Sequence, residues 1–169
     1  MKLSVRMPAY NEIGTIAEIV KLVAAALPGI EKELVIVDDG SRDGTRDWLT
    51  KHFGPVPTES ELLAGCPRPI SAIEFSDKLT VRAVFHDKNK GKGGAIRTAM
   101  KICSGDNIVI QDADLEYDPS DCRLCMNSSA FVRSGCRLRV TFLRQPAPVA
   151  ILPSLPRQQG YLHFVQRAI

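Results

Sequence analysis

The chain has 169 residues, 44% of them apolar and 24% charged, with a formal net charge of +3. Those values fit about one globular domain and exclude collagen-like, low-complexity and wholly disordered chains. No apolar run approaches the roughly 18 residues needed to span a bilayer.

Lys2–Met7 is a short apolar run that Pro8 closes, and it predicts a buried strand. Arg6 interrupts its apolar stretch, so the N-terminus does not read as a secretory signal. The five cysteines are an odd number without framework spacing and read as reduced thiols in a cytoplasmic protein. Asn11 can cap a helix with Glu12 in its first turn. Ile13, Ile16, Ala17, Val20, Val23, Ala24 and Leu27 follow at helical spacing, and Pro28-Gly29 ends the run. Glu33–Val37 predicts a second strand that runs into Asp38-Asp39-Gly40-Ser41. Ser41 or Asp43 can cap a helix carrying Trp48 and Leu49. Residues 54–78 hold four prolines and little periodicity, so they predict a long connection. Leu79–Phe85 is a third strand, Gly91–Cys103 a helix behind a glycine-rich entry, and Asn107–Ile110 a fourth strand. The last strand delivers Gln111-Asp112-Ala113-Asp114.

Charge divides the chain after that point. All 19 acidic residues lie in residues 1–121, with 15 of the 22 Lys and Arg; residues 122–169 hold seven Arg, no Lys and no acid. The tail shows no sustained apolar period. It fits a basic arm, a disordered linker, or a shifted reading frame, and its scattered Arg among Leu, Val and Pro favour the shifted frame. Cys122-x-x-Cys125 has no second pair or His at zinc spacing. A nucleic-acid arm lacks interleaved aromatics, and the body is net acidic.

Strands and helices alternate through residues 1–121, and the strands are continuous apolar runs. That pattern predicts an α/β fold, a mostly parallel sheet with helices on both faces. Ligands of such sheets sit at the carboxyl ends of the strands, where this chain places its polar clusters. Asp112 and Asp114 stand two residues apart past a buried strand. In an extended segment they share a side with Glu116, as a hard cation such as Mg²⁺ or Mn²⁺ requires; as bland loop acids they need no ligand. Asp38 and Asp39 suit either ordinary turn chemistry or one carboxylate that accepts hydrogen bonds from a base or ribose. Asn89-Lys90-Gly91-Lys92-Gly93-Gly94 lacks the Walker spacing. It serves either as an anion loop at a helix N-terminus or as a close-packing device. Tyr10 can stack on a base or pack as a turn residue, and His86 reads as structural.

Four segments together carry a resemblance: Met7-Pro8-Ala9-Tyr10-Asn11-Glu12, Val35-Ile36-Val37-Asp38-Asp39-Gly40-Ser41-Arg42-Asp43-Gly44-Thr45, Asn89-Lys90-Gly91-Lys92-Gly93-Gly94-Ala95, and Gln111-Asp112-Ala113-Asp114-Leu115-Glu116-Tyr117-Asp118-Pro119. In this order they resemble family 2 glycosyltransferases of the GT-A (Rossmann-like) fold, most closely the polyprenyl- or dolichol-phosphate mannosyl- and glucosyltransferase branch. The resemblance covers residues 1–121. It implies a nucleotide-sugar donor, GDP-mannose or UDP-glucose, bound by Pro8, Ala9, Tyr10, Glu12, Val37, Asp39, Lys92, Asp112, Ala113 and Asp114. It also implies Mg²⁺ or Mn²⁺ on Asp112, Asp114 and Glu116, and inverting transfer to an acceptor such as a polyprenyl phosphate at the cytoplasmic membrane surface. The resemblance stops at Asp121, so residues 1–121 look like the donor-binding half of such a domain. No catalytic residue transfers onto residues 122–169. A non-enzymatic nucleotide-binding module or remnant is the alternative. A sheet ending at the fourth strand would also leave an apolar edge.

Overall fold

The computed structural model describes residues 2–63, 73–76, 78–122 and 140–142. In chain order the elements are β1 (Lys2–Ala9), α1 (Ile16–Ala25), β2 (Glu31–Asp38), α2 (Thr45–Phe53), α3 (Glu59–Leu63), β3 (Ile73–Ser76), β4 (Leu79–Phe85), α4 (Lys92–Ile102), β5 (Asn107–Ile110), a 3-10 turn (Pro119–Asp121) and β6 (Val140–Phe142). The strands form one sheet in the order β3-β4-β2-β1-β5-β6, parallel except for β3.

Alternation within each strand sorts side chains to two faces. Leu3, Val5, Met7 and Ala9 of β1, Leu34 and Ile36 of β2, and Leu79, Val81 and Ala83 of β4 meet Ile16, Ile19, Val20 and Val23 of α1 and Leu49 and Phe53 of α2. On the other face Val35 and Val37 meet Ala95 and Ala99 of α4. The expectation of helices on both faces therefore holds. The chain winds from β1 through β2 to β4, then returns to β5 on the other flank of β1. That reversal opens a crevice beyond the carboxyl ends of β1 and β5.

Several local expectations need correction. Pro8 does not close β1, which runs to Ala9. Residues of the same parity turn their backbone groups to β5, and that ladder ends at Arg6 and Ile110, so Pro8 forfeits no ladder bond. Asn11 does not cap α1, which begins at Ile16. Asn11 takes a left-handed conformation (φ 58°), its side-chain oxygen accepts from Arg42 N, and its own N–H donates to the Ser41 hydroxyl. Neither Ser41 nor Asp43 holds the N-cap of α2; Gly44 does. Buried Lys32 donates to the Val23, Ala24 and Ala26 carbonyls, closing the C-terminus of α1.

The 54–78 connection contains α3 and β3, neither of which its sequence suggested. Each is only about one turn or one short pairing long, below what periodicity reveals. The open edge expected beside β5 is also corrected: β6 pairs in parallel with Ile108–Ile110. Apart from Cys122 and β6, residues 122–169 lie outside the described residues, as does Cys125.

Candidate active site at the carboxyl edge of the sheet

A cavity of about 290 Å³ lies in the crevice. Pro8, Ala9, Tyr10 and Glu12 line it from the end of β1, and Asp39 from the end of β2. Asn89, Gly91 and Lys92 line it from the entry of α4, and Asp112, Ala113 and Asp114 from the end of β5. Nine of the ten donor-binding positions implied by the resemblance thus meet in one cavity. Val37 is the exception, because its side chain is buried in the core beneath α4.

The loop after β1 is held by the loop after β2. Asn11 N donates to Ser41 Oγ at 2.8 Å, Glu12 N to Thr45 Oγ1 at 2.9 Å and Ile13 N to Asp43 Oδ2 at 3.0 Å. The Ser, Asp and Thr of Ser41-Arg42-Asp43-Gly44-Thr45 thus satisfy the N–H groups of a neighbouring loop. Burial pushes the Asp43 carboxyl up, but donors from Thr45 and Ile13 outweigh it and hold the group below its ordinary range. Glu12 accepts from the Thr15 hydroxyl at 2.8 Å, and Tyr10 stands half exposed at the cavity.

The two adjacent carboxylates divide their work. Asp38 turns inward: its Oδ2 accepts from Gly40 N, Ser41 N and Arg46 Nε, the last at 2.6 Å. Asp39 lines the cavity, and its Oδ1 accepts from Lys90 N at 2.8 Å and faces His86 Nδ1 at 2.6 Å. The residues alone left open which of the pair faces a ligand; the resemblance implied Asp39, and Asp39 is the one that lines the cavity.

The glycine-rich segment also divides. The Lys90 ammonium turns away to Glu59 of α3. A Cβ on Gly94 would stand 2.6 Å from Lys90 Cβ, and one on Gly40 3.0 Å from Asn89 N, so both glycines permit close packing. Lys92 instead reaches into the cavity, where its Nζ stands 2.6 Å from Asp112 Oδ2.

Asp112, Asp114 and Glu116 were expected on one side of an extended segment. The chain instead turns at Ala113-Asp114, and Leu115 is left-handed (φ 64°). Buried Gln111 donates through Nε2 to Tyr117 O at 2.9 Å, folding the loop back. Asp112 and Asp114 still reach the cavity, whereas Glu116 does not line it. Among the described residues no group of three or more His, Cys, Asp or Glu is gathered as a metal site. The two aspartates fit a hard cation by their oxygen chemistry, and Asp112 already holds one cation, the Lys92 ammonium.

The glycosyl transferase family 2 model matches residues 4–62 and 64–129. The chain belongs to glycosyl transferase family 2. The match runs eight residues past Asp121, where the recognisable motifs end. Over 119 residues the chain is 34% identical to a dolichol-phosphate mannosyltransferase of Pyrococcus furiosus, covering 70% of this chain and 27% of that protein. Over 121 residues it is 31% identical to an undecaprenyl-phosphate 4-deoxy-4-formamido-L-arabinose transferase of Pseudomonas syringae, covering 70% of this chain and 30% of that one. The chain therefore spans about 30% of the length of these relatives. The crystal structure of S. aureus TarS 1–349 in complex with UDP shares the fold, with a TM-score of 0.53 and 24% identity over 75% of this chain and 31% of that chain. The GT-A fold expected from the motifs is the fold observed. No helix among the described residues is long and apolar enough to cross a membrane.

Sequence reading took His86 as structural, as it is, but missed its partners Thr98 and Glu59, and Arg46 behind Asp38. A His at the end of a strand signals nothing until its partners, 12 to 47 positions away, are known.

Proposed function

We propose that residues 1–121 form the donor site of a sugar transferase that takes a nucleotide-sugar of the GDP-mannose or UDP-glucose class. The observation that carries this reading is the convergence of Asp39, Lys92, Asp112 and Asp114 with the Pro8–Glu12 segment on one cavity at the switch point of the sheet. Asp39 reads the base, Tyr10 stacks on the nucleoside and Glu12 lies along the ribose side. Asp112 and Asp114 would hold Mg²⁺ or Mn²⁺, which neutralises charge on the leaving nucleoside diphosphate. Lys92 exchanges Asp112 for a donor phosphate oxygen when the donor binds.

In the complete reaction an acceptor oxygen attacks the anomeric carbon opposite the leaving diphosphate, so configuration inverts. A polyprenyl phosphate is the acceptor we favour, because it is already anionic and the two relatives above carry polyprenyl-phosphate acceptors in their names. That chemistry lies at a cytoplasmic membrane surface. A donor-binding module without transfer activity is the second reading, because every cavity-lining residue given a role above acts on the donor.

Calorimetric titration of the chain with UDP and with GDP, with and without Mn²⁺, tests the site. We expect metal-dependent binding of a nucleoside diphosphate, lost in Asp114→Asn. Unaltered binding by Asp114→Asn at saturating Mn²⁺ removes the metal assignment, and a folded chain that binds neither nucleotide removes the donor site. Release of nucleoside diphosphate on adding a polyprenyl phosphate separates a transferase from a binding module.

A further inference from the structure

Directly behind the cavity wall lies a buried polar chain that the function above does not use. His86 follows β4 and is fully buried. Its Nδ1 stands 2.6 Å from Asp39 Oδ1 and its Nε2 2.8 Å from Thr98 Oγ1 on α4. Glu59 Oε2 lies 3.6 Å from the same Nε2, and Glu59 receives the Lys90 ammonium. An ionised carboxylate only accepts, so Nδ1 carries the proton shared with Asp39. Lys90 N donates to that same Oδ1 at 2.8 Å. Oδ1 thus receives two donors from the chain, one of them from a fully buried ring. Asp39 Oδ2 accepts nothing from the described residues, and Asp39 lines the cavity.

We infer that His86 is a positioning residue that makes Asp39 a single-acceptor reader of the donor base, and that this base is uracil rather than guanine. The inference rests on the donor-site reading above. Uracil presents one ring N–H between two carbonyls, a single donor that Oδ2 alone can take. Guanine presents N1–H beside its exocyclic amine, two parallel donors that match both oxygens of a carboxylate. With Oδ1 already engaged by two donors of the chain, the second guanine donor meets a crowded acceptor, and a poorly met donor discriminates. The chain of Thr98, Glu59 and Lys90 fixes the imidazole, so the carboxylate cannot turn to offer both oxygens.

The test is calorimetry on the full chain with Mn²⁺ and with UDP, GDP and CDP. UDP is expected to bind at least about tenfold more tightly than GDP. His86→Leu vacates one lone pair of Oδ1 and lets the carboxylate turn, so UDP affinity falls and the UDP:GDP ratio collapses toward one. His86→Gln keeps an N–H donor and restores the ratio. In Asp39→Asn the His86 and Lys90 donors hold the amide oxygen inside and turn its NH₂ into the cavity. CDP, whose ring N3 accepts, then overtakes UDP. This variant carries the test even if His86→Leu does not fold. Equal affinities for UDP and GDP, or a His86→Leu that weakens both alike, or an Asp39→Asn that leaves UDP ahead of CDP, overturns the inference while leaving the donor site intact. A folded chain that binds none of the three overturns the donor site itself.

Discussion

Two carboxylates on one strand, Glu33 near the start of β2 and Asp39 just past its end, are both buried, yet they are built to opposite ends. Glu33 Oε1 accepts from the Ser4 hydroxyl at 2.6 Å, from Gly105 N at 3.1 Å and from Ser104 N, while Oε2 accepts from the Ser104 hydroxyl at 2.8 Å. Lys2 and Arg82 add positive charge at 3.3 and 3.9 Å. Every oxygen is committed, and burial is outweighed by those donors, which hold the carboxyl below its ordinary range. Asp39 commits one oxygen to the chain, while its second accepts nothing from the described residues and the residue lines the cavity. Glu33 spends both oxygens on its own chain, whereas Asp39 is braced on one side only.

The largest break in that comparison is Glu33→Ala. It strands the Ser4, Ser104 and Gly105 donors beside uncompensated Arg82, and removing one partner of a buried charged cluster typically costs about 3 kcal/mol or more. Urea denaturation should show that loss, while the fraction that remains folded keeps its nucleotide affinity. Gly105→Ala comes next. A Cβ there would lie 2.5 Å from Ser4 Oγ, 2.8 Å from Ser4 N and 2.9 Å from Lys2 O, two of them backbone atoms that cannot step aside. We expect a loss of about 1–3 kcal/mol by the same denaturation.

Acid probes the committed carboxylates together. Glu33, Asp43 and Glu59 all ionise below their ordinary range; for Glu59 the Lys90 ammonium is the main cause. A depressed folded-state pKa contributes stability that is complete above the unfolded value, about 4, and is lost as pH falls through the lower folded values. Thermal unfolding should therefore change little between about pH 7 and 5 and drop progressively below about pH 4. Tyr10→Ala gives the smallest effect. The ring is half exposed, so Tm should hold, while UDP binding weakens by about 1 kcal/mol from lost stacking. A Tm that falls with it would make Tyr10 a packing residue.

The core and the cavity edge were legible because their signals are local. Short β-branched apolar runs such as Leu34–Val37 read as strands covered on both faces, and each strand end carried its polar cluster. The parallel sheet, the helices on both faces and nine cavity positions followed from that, with the family motifs. What stayed hidden depends on distant partners. Asn11, Ser41 and Asp43 have the composition of helix caps, but loop-to-loop bonds across about 30 positions claimed them. Glu116 kept phase with Asp112 and Asp114 only on an extended chain, and Gln111 bends that chain.

The sequence by itself therefore determined which residues stand at the ends of the strands, since alternation of apolar runs and polar breaks is written in neighbouring positions. The family motifs had already singled out Asp39 of the pair; only the tertiary structure decided which of its oxygens the chain itself engages. Asp38 and Asp39 are identical in chemistry and adjacent in sequence. Arg46 draws one inward, whereas His86 and Lys90 take a single oxygen of the other and leave its second to the cavity.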